Sequence, residues 1–459
     1  MTLMDVIASR LTGPLYARYE GSKRYAYMGE IAGVLGGSLP EIREYQLGRI
    51  RAVASEAAQN TAYYAGVFRD LNLDPAALTW EEFRRLPLLT KDIIREQGER
   101  LVNRRFPPDS LRESATGGTT ASPMKIYMDW DSVQRRHAAT MVFDRWTGFM
   151  PGMRAGYLWG ATRDFPAKVS LKRKILNALV QRNAFYTTES LDDATLRGYC
   201  ERLRRTRPAL LQAYPTPLRI LAEYMLAHGI KIDVPAITCT AEPLTDDARA
   251  TIEKAFGRKV HEWYGSREAG RIATECGAHQ GMHVNAYGLH VEVRGHDDAI
   301  GGGEIILTDL WNVGMPMLRY ASGDLSSLDE TPCACGSSLP RLSPVKGRTA
   351  EVFVSGSGRK VPGVAFTNRI VKDDSMIREM QIIQQDYTKF LVRVIPGQGY
   401  GEDARQWLVG RLEEFMGQKN EVVFEEVNSI PRERSGKLLF CKREFDPREP
   451  EPERREAEA

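Results

Sequence analysis

The sequence predicts an α/β protein in two parts: a large N-terminal domain that ends in a β-rich subregion, and a small α+β C-terminal domain. Three observations lead there. Beyond residue 150, short apolar runs of strand length alternate with segments of helical periodicity. At Leu289 that texture gives way to hairpins. After Gly347 a stretch of about a hundred residues, a normal size for a domain, carries its own strands and helix.

Taken in order, the first hundred residues have a helical pattern, with Glu41 to Ala58 and Trp80 to Arg95 carrying apolar residues at helix spacing. Val169 to Phe185 is a further helix: Leu171, Ile175, Leu176, Leu179 and Val180 share a face, and Lys172, Arg173, Lys174 and Arg182 are basic. Such a segment suits a membrane surface, but a single one in a nearly neutral chain reads better as a core-packed helix with a solvated basic face. Strands are expected at Gly156 to Gly160, Ala209 to Ala213, Ala236 to Thr240 and Lys259 to Tyr264. His290 to Arg294 and Glu304 to Thr308 flank the turn-rich Asp297 to Gly303. In the last part, strands near Met380 to Gln384 and Phe390 to Ile395 precede a helix from Gly401 to Met416 and a strand at Glu421 to Glu426. The boundaries expected are therefore 1–346 for the large domain, with 1–100 helical, 347–445 for the small one, and a charged, Pro-bearing tail at 446–459 that reads as disordered.

Composition narrows the function classes. A chain of 459 residues exceeds one ordinary core. Its 63 Lys plus Arg against 60 Asp plus Glu, formally +3, give no reason to expect a nucleic-acid partner. No run approaches the roughly eighteen apolar residues of a membrane span, and Asp5, Arg10 and Pro14 interrupt the N-terminal apolar residues where a signal peptide has none. The expectation is a cytoplasmic protein. Six cysteines do not make a disulfide framework here, and in a reducing compartment a close pair more often means metal.

Five segments carry chemistry. Ser114 to Pro123 packs Thr116, Gly117, Gly118, Thr119 and Thr120 ahead of a strand at Met124 to Met128; adjacent glycines let backbone N–H groups converge on an anion while hydroxyls add donors, as a polyphosphate needs. It is not the P-loop, because no Gly-Lys-Ser/Thr follows. His261 to Glu268 closes a strand, and its Tyr264-Gly265 pair offers a stacking face with room for close approach; Glu268 suits Mg²⁺. Thr240-Ala241-Glu242-Pro243 also follows a strand. In Tyr320 to Asp324 a carboxylate follows a glycine turn, where it can accept both hydroxyls of a ribose. Pro431 to Lys437 ends in a lysine on a Ser-Gly turn, deliverable as a point charge to a phosphate. Each has a plain alternative as a loop, a helix-end charge or a turn cap.

In this order and at these separations the five segments resemble the signature of the adenylate-forming superfamily, which includes acyl-CoA ligases and luciferases, over roughly residues 80 to 445. Leu86-Pro87-Leu88-Leu89-Thr90-Lys91 is similar to the phenylacetate-CoA ligase branch and its relatives in capsule biosynthesis. The resemblance implies a multi-layer large domain and a small mobile one. It implies that Thr116 to Thr120 hold the phosphates of ATP, that Glu242, Tyr264 and Gly265 bound the adenine pocket, that Glu268 meets Mg²⁺, and that Asp324 and Arg348 grip the ribose. Lys437 would bridge the acyl carboxylate and the α-phosphate, and the small domain would turn about Gly347 to Glu351 to admit a thiol. Ala121 stands where the family's loop normally has Gly, and Thr349-Ala350 where its hinge often has Asp or Lys.

The implied activity is ATP-dependent activation of a carboxylic acid as acyl-AMP, followed by transfer to coenzyme A. Alternatives are transfer to a carrier-protein thiol or an amine, transfer of the nucleotide itself, or a non-catalytic nucleotide-binding protein; a homodimer stays open. Trp159, Tyr214, Cys239 and Ala269 are the expected walls of an aryl or modest acyl pocket. Cys276, His279, Cys333 and Cys335 fit a closed structural zinc site, with His283 as a competing ligand set aside.

Overall fold

The computed structural model describes residues 2–115, 124–159, 175–188, 191–298, 300–347, 351–362, 376–397, 399–430 and 440–445. The N-terminal part is helical as expected: α1 (Leu3–Ile7), α2 (Gly13–Tyr19), α3 (Arg24–Leu35), α4 (Leu39–Asn60), α5 (Ala62–Asp70), α6 (Trp80–Arg85) and α7 (Lys91–Gln97). Helix α4 starts at a capping box in which Glu41 accepts from the Ser38 N–H at 2.8 Å. The single helix expected over Trp80 to Arg95 is two. Pro87 forces Leu86 out of the helical region, to ψ 137°. Leu89 then bridges to Tyr320 as a strand residue, and Thr90 caps α7.

The strands follow in order: β1 (Arg112–Ala115), β2 (Lys125–Met128), β3 (Ala155–Leu158), β4 (Asn183–Tyr186), β5 (Leu210–Ala213), β6 (Ala236–Cys239), β7 (Val260–Ser266), β8 (Gly270–Glu275), β9 (Met282–Val284), β10 (Leu289–Asp297), β11 (Gly302–Asp309), β12 (Tyr320–Ser326), β13 (Leu328–Asp329) and β14 (Arg341–Leu342). Nine of them form one mixed sheet in the order β13-β14-β9-β8-β7-β6-β5-β3-β4. From β4 to β7 the pairs are parallel, and from β7 to β13 antiparallel. Strands β5 and β6 are buried at every position, which is why Leu-Leu-Gln-Ala and Ala-Ile-Thr-Cys read as continuous apolar runs rather than alternating ones.

Helices α8 (Trp130–Asp144), α9 (Asp193–Thr206), α10 (Pro215–Ala227) and α11 (Asp246–Phe256) lie between these strands in sequence. Leu196, Leu221, Met225 and Ile252 from the last three join Leu158, Leu211 and Ile237 in one core. The expected basic helix does not hold throughout. From residue 175 a helical segment runs to Gln181, Asn183–Tyr186 is strand, and Ile175 and Leu179 of the expected apolar face are exposed, while residues 169–174 of that expectation lie outside the described residues.

The chain divides into two compact units: Met1–Arg294, Ile305–Ser322 and Ser326–Val345 form one, and Gly295–Glu304, Gly323–Leu325 and Lys346–Ala459 the other. Strands β10, β11 and β12 make a three-stranded sheet whose ends at 295–297, 302–304 and 323–325 are counted with the second unit. That unit also holds β15 (Val352–Val354) paired with β16 (Lys360–Pro362), and β17 (Ile377–Gln384), β18 (Lys389–Pro396), α12 (Glu402–Met416), β19 (Glu421–Glu426) and β20 (Cys441–Arg443). The four-stranded sheet runs β19-β18-β17-β20, and Leu408, Leu412 and Met416 of α12 pack with Ile382, Phe390 and Val392. No helix among the described residues is long and apolar enough to cross a membrane.

Candidate functional site

Because β3, β5, β6 and β7 run parallel, the residues that follow them leave the sheet at one edge. Trp159 and Tyr214 meet there as stacked rings, 5.8 Å between centroids and 23° between planes. Backbone bonds fix both: the Trp159 N–H donates to Tyr186 O at 3.1 Å and the Tyr214 N–H to Leu158 O at 3.3 Å. Cys239, the last residue of β6, is fully buried, and desolvation raises its thiol pKa well above the ordinary value. Ala241 has φ +73°, a left-handed conformation that costs an L-residue roughly 1–2 kcal/mol. The bend lets the Glu242 carboxylate accept the Thr216 N–H, in the first turn of α10, at 3.1 Å. Glu242 is thus a helix N-terminal charge for α10 rather than for the helix that follows it in sequence.

The β7–β8 hairpin carries Tyr264 to Glu268. Its register shifts between Tyr264 and Gly265. At that bulge a Cβ on Gly265 would lie 2.4 Å from Gly270 O and 2.8 Å from the Trp263 ring, so no side chain fits. Tyr264 is half-buried against the core of the first unit. Glu268 is buried, with the Tyr320 hydroxyl donating to its carboxylate at 3.3 Å. The turn is held from α8: Arg136 donates to Glu268 O and to the buried Asp309 carboxylate, each at 2.6 Å. Ala269, an expected pocket wall, is buried directly after it. Arg136 and Asp309 could not be singled out from the sequence, since an arginine in a helix and an aspartate at a strand end carry no motif. Lys91, from the Leu-Pro-Leu-Leu-Thr-Lys segment, donates to Ser322 O at 2.8 Å, two residues before Asp324.

In the second unit, Gly323, within β12, takes φ +82° and its N–H donates to Glu304 Oε1 at 3.0 Å, directly before Asp324. The Leu325 N–H donates to Gly347 O at 2.9 Å, so the segment leading to Arg348 runs beside the Asp324 strand. Strands β1 and β2 pair antiparallel from Arg112↔Met128 to Ala115↔Lys125, which brings together the two ends of the Gly/Thr-rich loop. Thr116, Gly117, Gly118, Thr119, Thr120 and Ala121, Arg348 with the hinge residues Thr349 and Ala350, and Lys437 lie outside the described residues.

The metal ligand set expected from sequence changes at one position. Cys276, Cys333 and Cys335 are gathered with His283, not His279. His279, in a left-handed turn at φ +52°, has its Nδ1 3.3 Å from Glu275 Oε2 and its ring 4.8 Å from that of His261. His283, on β9 between β8 and β14, has its Nε2 3.5 Å from Cys335 Sγ. Its place on the strand, not its distance along the chain from Cys276, decides which imidazole is near.

The family described as the CapK C-terminal domain matches residues 353–444. Protein CapK of Staphylococcus aureus is 27% identical over 411 residues, covering 87% of this chain and 89% of that protein. The phenylacetate-coenzyme A ligase of Thermus thermophilus is 28% identical over 159 residues, 32% of this chain and 36% of that one. A 2-hydroxyisobutyryl-CoA ligase, solved in the postadenylation state with an acyl-AMP, superposes with a TM-score of 0.68 at 18% identity over 90% of this chain and 91% of that one; it shows the fold.

Proposed function

We propose that this chain belongs to the adenylate-forming superfamily, on its CapK-like branch, and that it uses ATP to activate a carboxylic acid as acyl-AMP and passes the acyl group to the thiol of coenzyme A. One observation carries the reading. Trp159, Tyr214 and Glu242 follow the parallel strands β3, β5 and β6, and the β7–β8 hairpin that carries Tyr264 to Glu268 extends β7 beyond its parallel pairing with β6 on the same edge of the sheet, where an α/β sheet binds its ligands. The stacked Trp159 and Tyr214 rings suit one wall of a flat or modest acyl group. Tyr264, half-buried beside the glycine bulge at Gly265, offers a ring face to a planar base.

Glu268 offers a buried carboxylate, oriented by Tyr320, of the hard-oxygen kind that holds Mg²⁺. When bound, that ion would neutralise phosphate charge. Asp324 would accept from the ribose hydroxyls, Thr116 to Thr120 would donate to the phosphates, and Arg348 would support the ribose. Lys437 would sit between the carboxylate and the α-phosphate, where two anions must approach. Turning the small domain about residues 347–351 would then withdraw Lys437 and admit the thiol.

Pyrophosphate release from ATP, measured across a panel of aryl and short-chain acids, tests the reading. One or more acids should give acid-dependent release, and CoA should convert the product to a thioester. Tight ATP binding with no release from any acid would point instead to a nucleotide-binding protein.

A further inference from the structure

Four side chains from three places in the chain converge beside the β7–β8 hairpin. Cys276 follows β8, His283 lies on β9, and Cys333 and Cys335 belong to the loop between β13 and β14. One ligand atom from each lies within 4.8 Å of all the others, and Cys276, His283 and Cys333 are buried while Cys335 reaches the surface. Cys276 Sγ and Cys333 Sγ are 3.8 Å apart, and Cys335 Sγ and His283 Nε2 3.5 Å.

Those edges discriminate between explanations. A disulfide needs S–S of about 2.05 Å, and all six cysteines are free. A tetrahedron built on Zn–S of about 2.3 Å and Zn–N of about 2.0–2.1 Å has S–S edges of about 3.8 Å and S–N edges of about 3.6 Å. The two measured separations match both. The backbone is shaped for the same purpose: Gly336, at φ +87°, closes the Cys333-Ala334-Cys335 turn by donating to Cys333 O at 2.9 Å, and the Ala278 N–H points at Cys276 Sγ at 3.4 Å. The Trp146 ring, edge-on to the His283 imidazole at 5.4 Å, limits its rotation.

We propose that Cys276, His283, Cys333 and Cys335 bind one zinc ion in a closed tetrahedral site. It clamps the end of β8 and the β13–β14 loop to β9. Three thiolates and an imidazole complete the shell, so no position is left for a reactive water, and the site is structural. Its effect on the candidate active site is mechanical: β8 is the return strand of the hairpin that carries Tyr264 to Glu268, and Cys276 is the residue after β8 ends. The inference stands on ligand geometry alone and does not depend on the proposed function.

The full chain, purified with reductant and dialysed against metal-free buffer, is tested by elemental analysis and by exchange with Co²⁺. The expected results are one zinc per chain and, for the cobalt form, the strong visible absorption of tetrahedral Co²⁺ with thiolate-to-cobalt charge transfer in the near ultraviolet. His283→Ala should weaken zinc retention against a competing chelator by more than roughly tenfold, whereas His279→Ala should leave it unchanged. Should a variant not fold, chelating the wild-type protein decides: a lowered melting temperature restored by added zinc supports the site. Absence of zinc together with an octahedral cobalt spectrum would overturn it, as would equal loss of zinc retention in the two histidine variants.

Discussion

Burial on β7 pushes the Glu262 carboxyl up to about 7, with the neighbouring Glu275 carboxylate adding to the rise and Arg249, 3.9 Å away, opposing it. The native chain therefore keeps a proton there that the unfolded chain releases near the ordinary value of 4.5. The group's contribution to stability is complete below that value and is lost as pH climbs through about 7. Glu262→Gln should match the wild type in stability near pH 4.5 and exceed it near pH 8, by on the order of 2 kcal/mol. Urea unfolding at the two pH values measures this, and an unchanged pH slope in the variant would exclude it. Glu262 lies within the His261–Glu268 segment that the sequence singles out, but the sequence could not mark it, because its titration comes from what surrounds it. Ala241 was equally unreadable: a left-handed alanine leaves no trace in the one-letter code.

At the scale of elements, the hairpin turn at Glu268 is held through α8. Arg136 ties that turn to Asp309 at the end of β11, and Asp309 is 4% exposed. Removing the arginine leaves a carboxylate buried without its cation, which typically costs about 3–5 kcal/mol. Arg136→Ala should lose stability of that order in urea unfolding, and adding Asp309→Asn should recover part of it. A loss under about 1 kcal/mol, the scale of an exposed ion pair, would show that the pair does not hold the turn. Most elements were legible because their periodicity is strong: α4, β5, β6, α12 and β19 lie within a residue or two of where the pattern put them. The failures have local causes. Pro87 split a helix that the apolar spacing had joined, and in the segment before Asn183 the apolar Ile175 and Leu179 are left exposed. Spacing records that a face exists, not whether anything covers it.

At the scale of the molecule, the adenylation reading makes Lys437 specific to one half-reaction. Lys437→Ala should lower acid-dependent pyrophosphate release by about two to three orders of magnitude, since an electrostatic group at developing charge commonly contributes about 10²- to 10³-fold. It should leave thioester formation from supplied acyl-AMP and CoA within a few-fold. Rapid-quench assay of both halves reads the split, and equal loss in both would reject the assigned role.

What the sequence determined by itself was the class of fold, the order of its elements and which segments are candidates for chemistry. Those follow from periodicity, glycine turns and motif order, all of which are local. Tertiary structure alone decided which of these residues meet. It stacked Trp159 on Tyr214, turned Glu242 to the N-terminus of α10, bound Arg136 to the Glu268 turn, and brought His283 rather than His279 to the three cysteines. The physical reason is that strand register and side-chain direction set such meetings, and both are fixed only when distant strands pair.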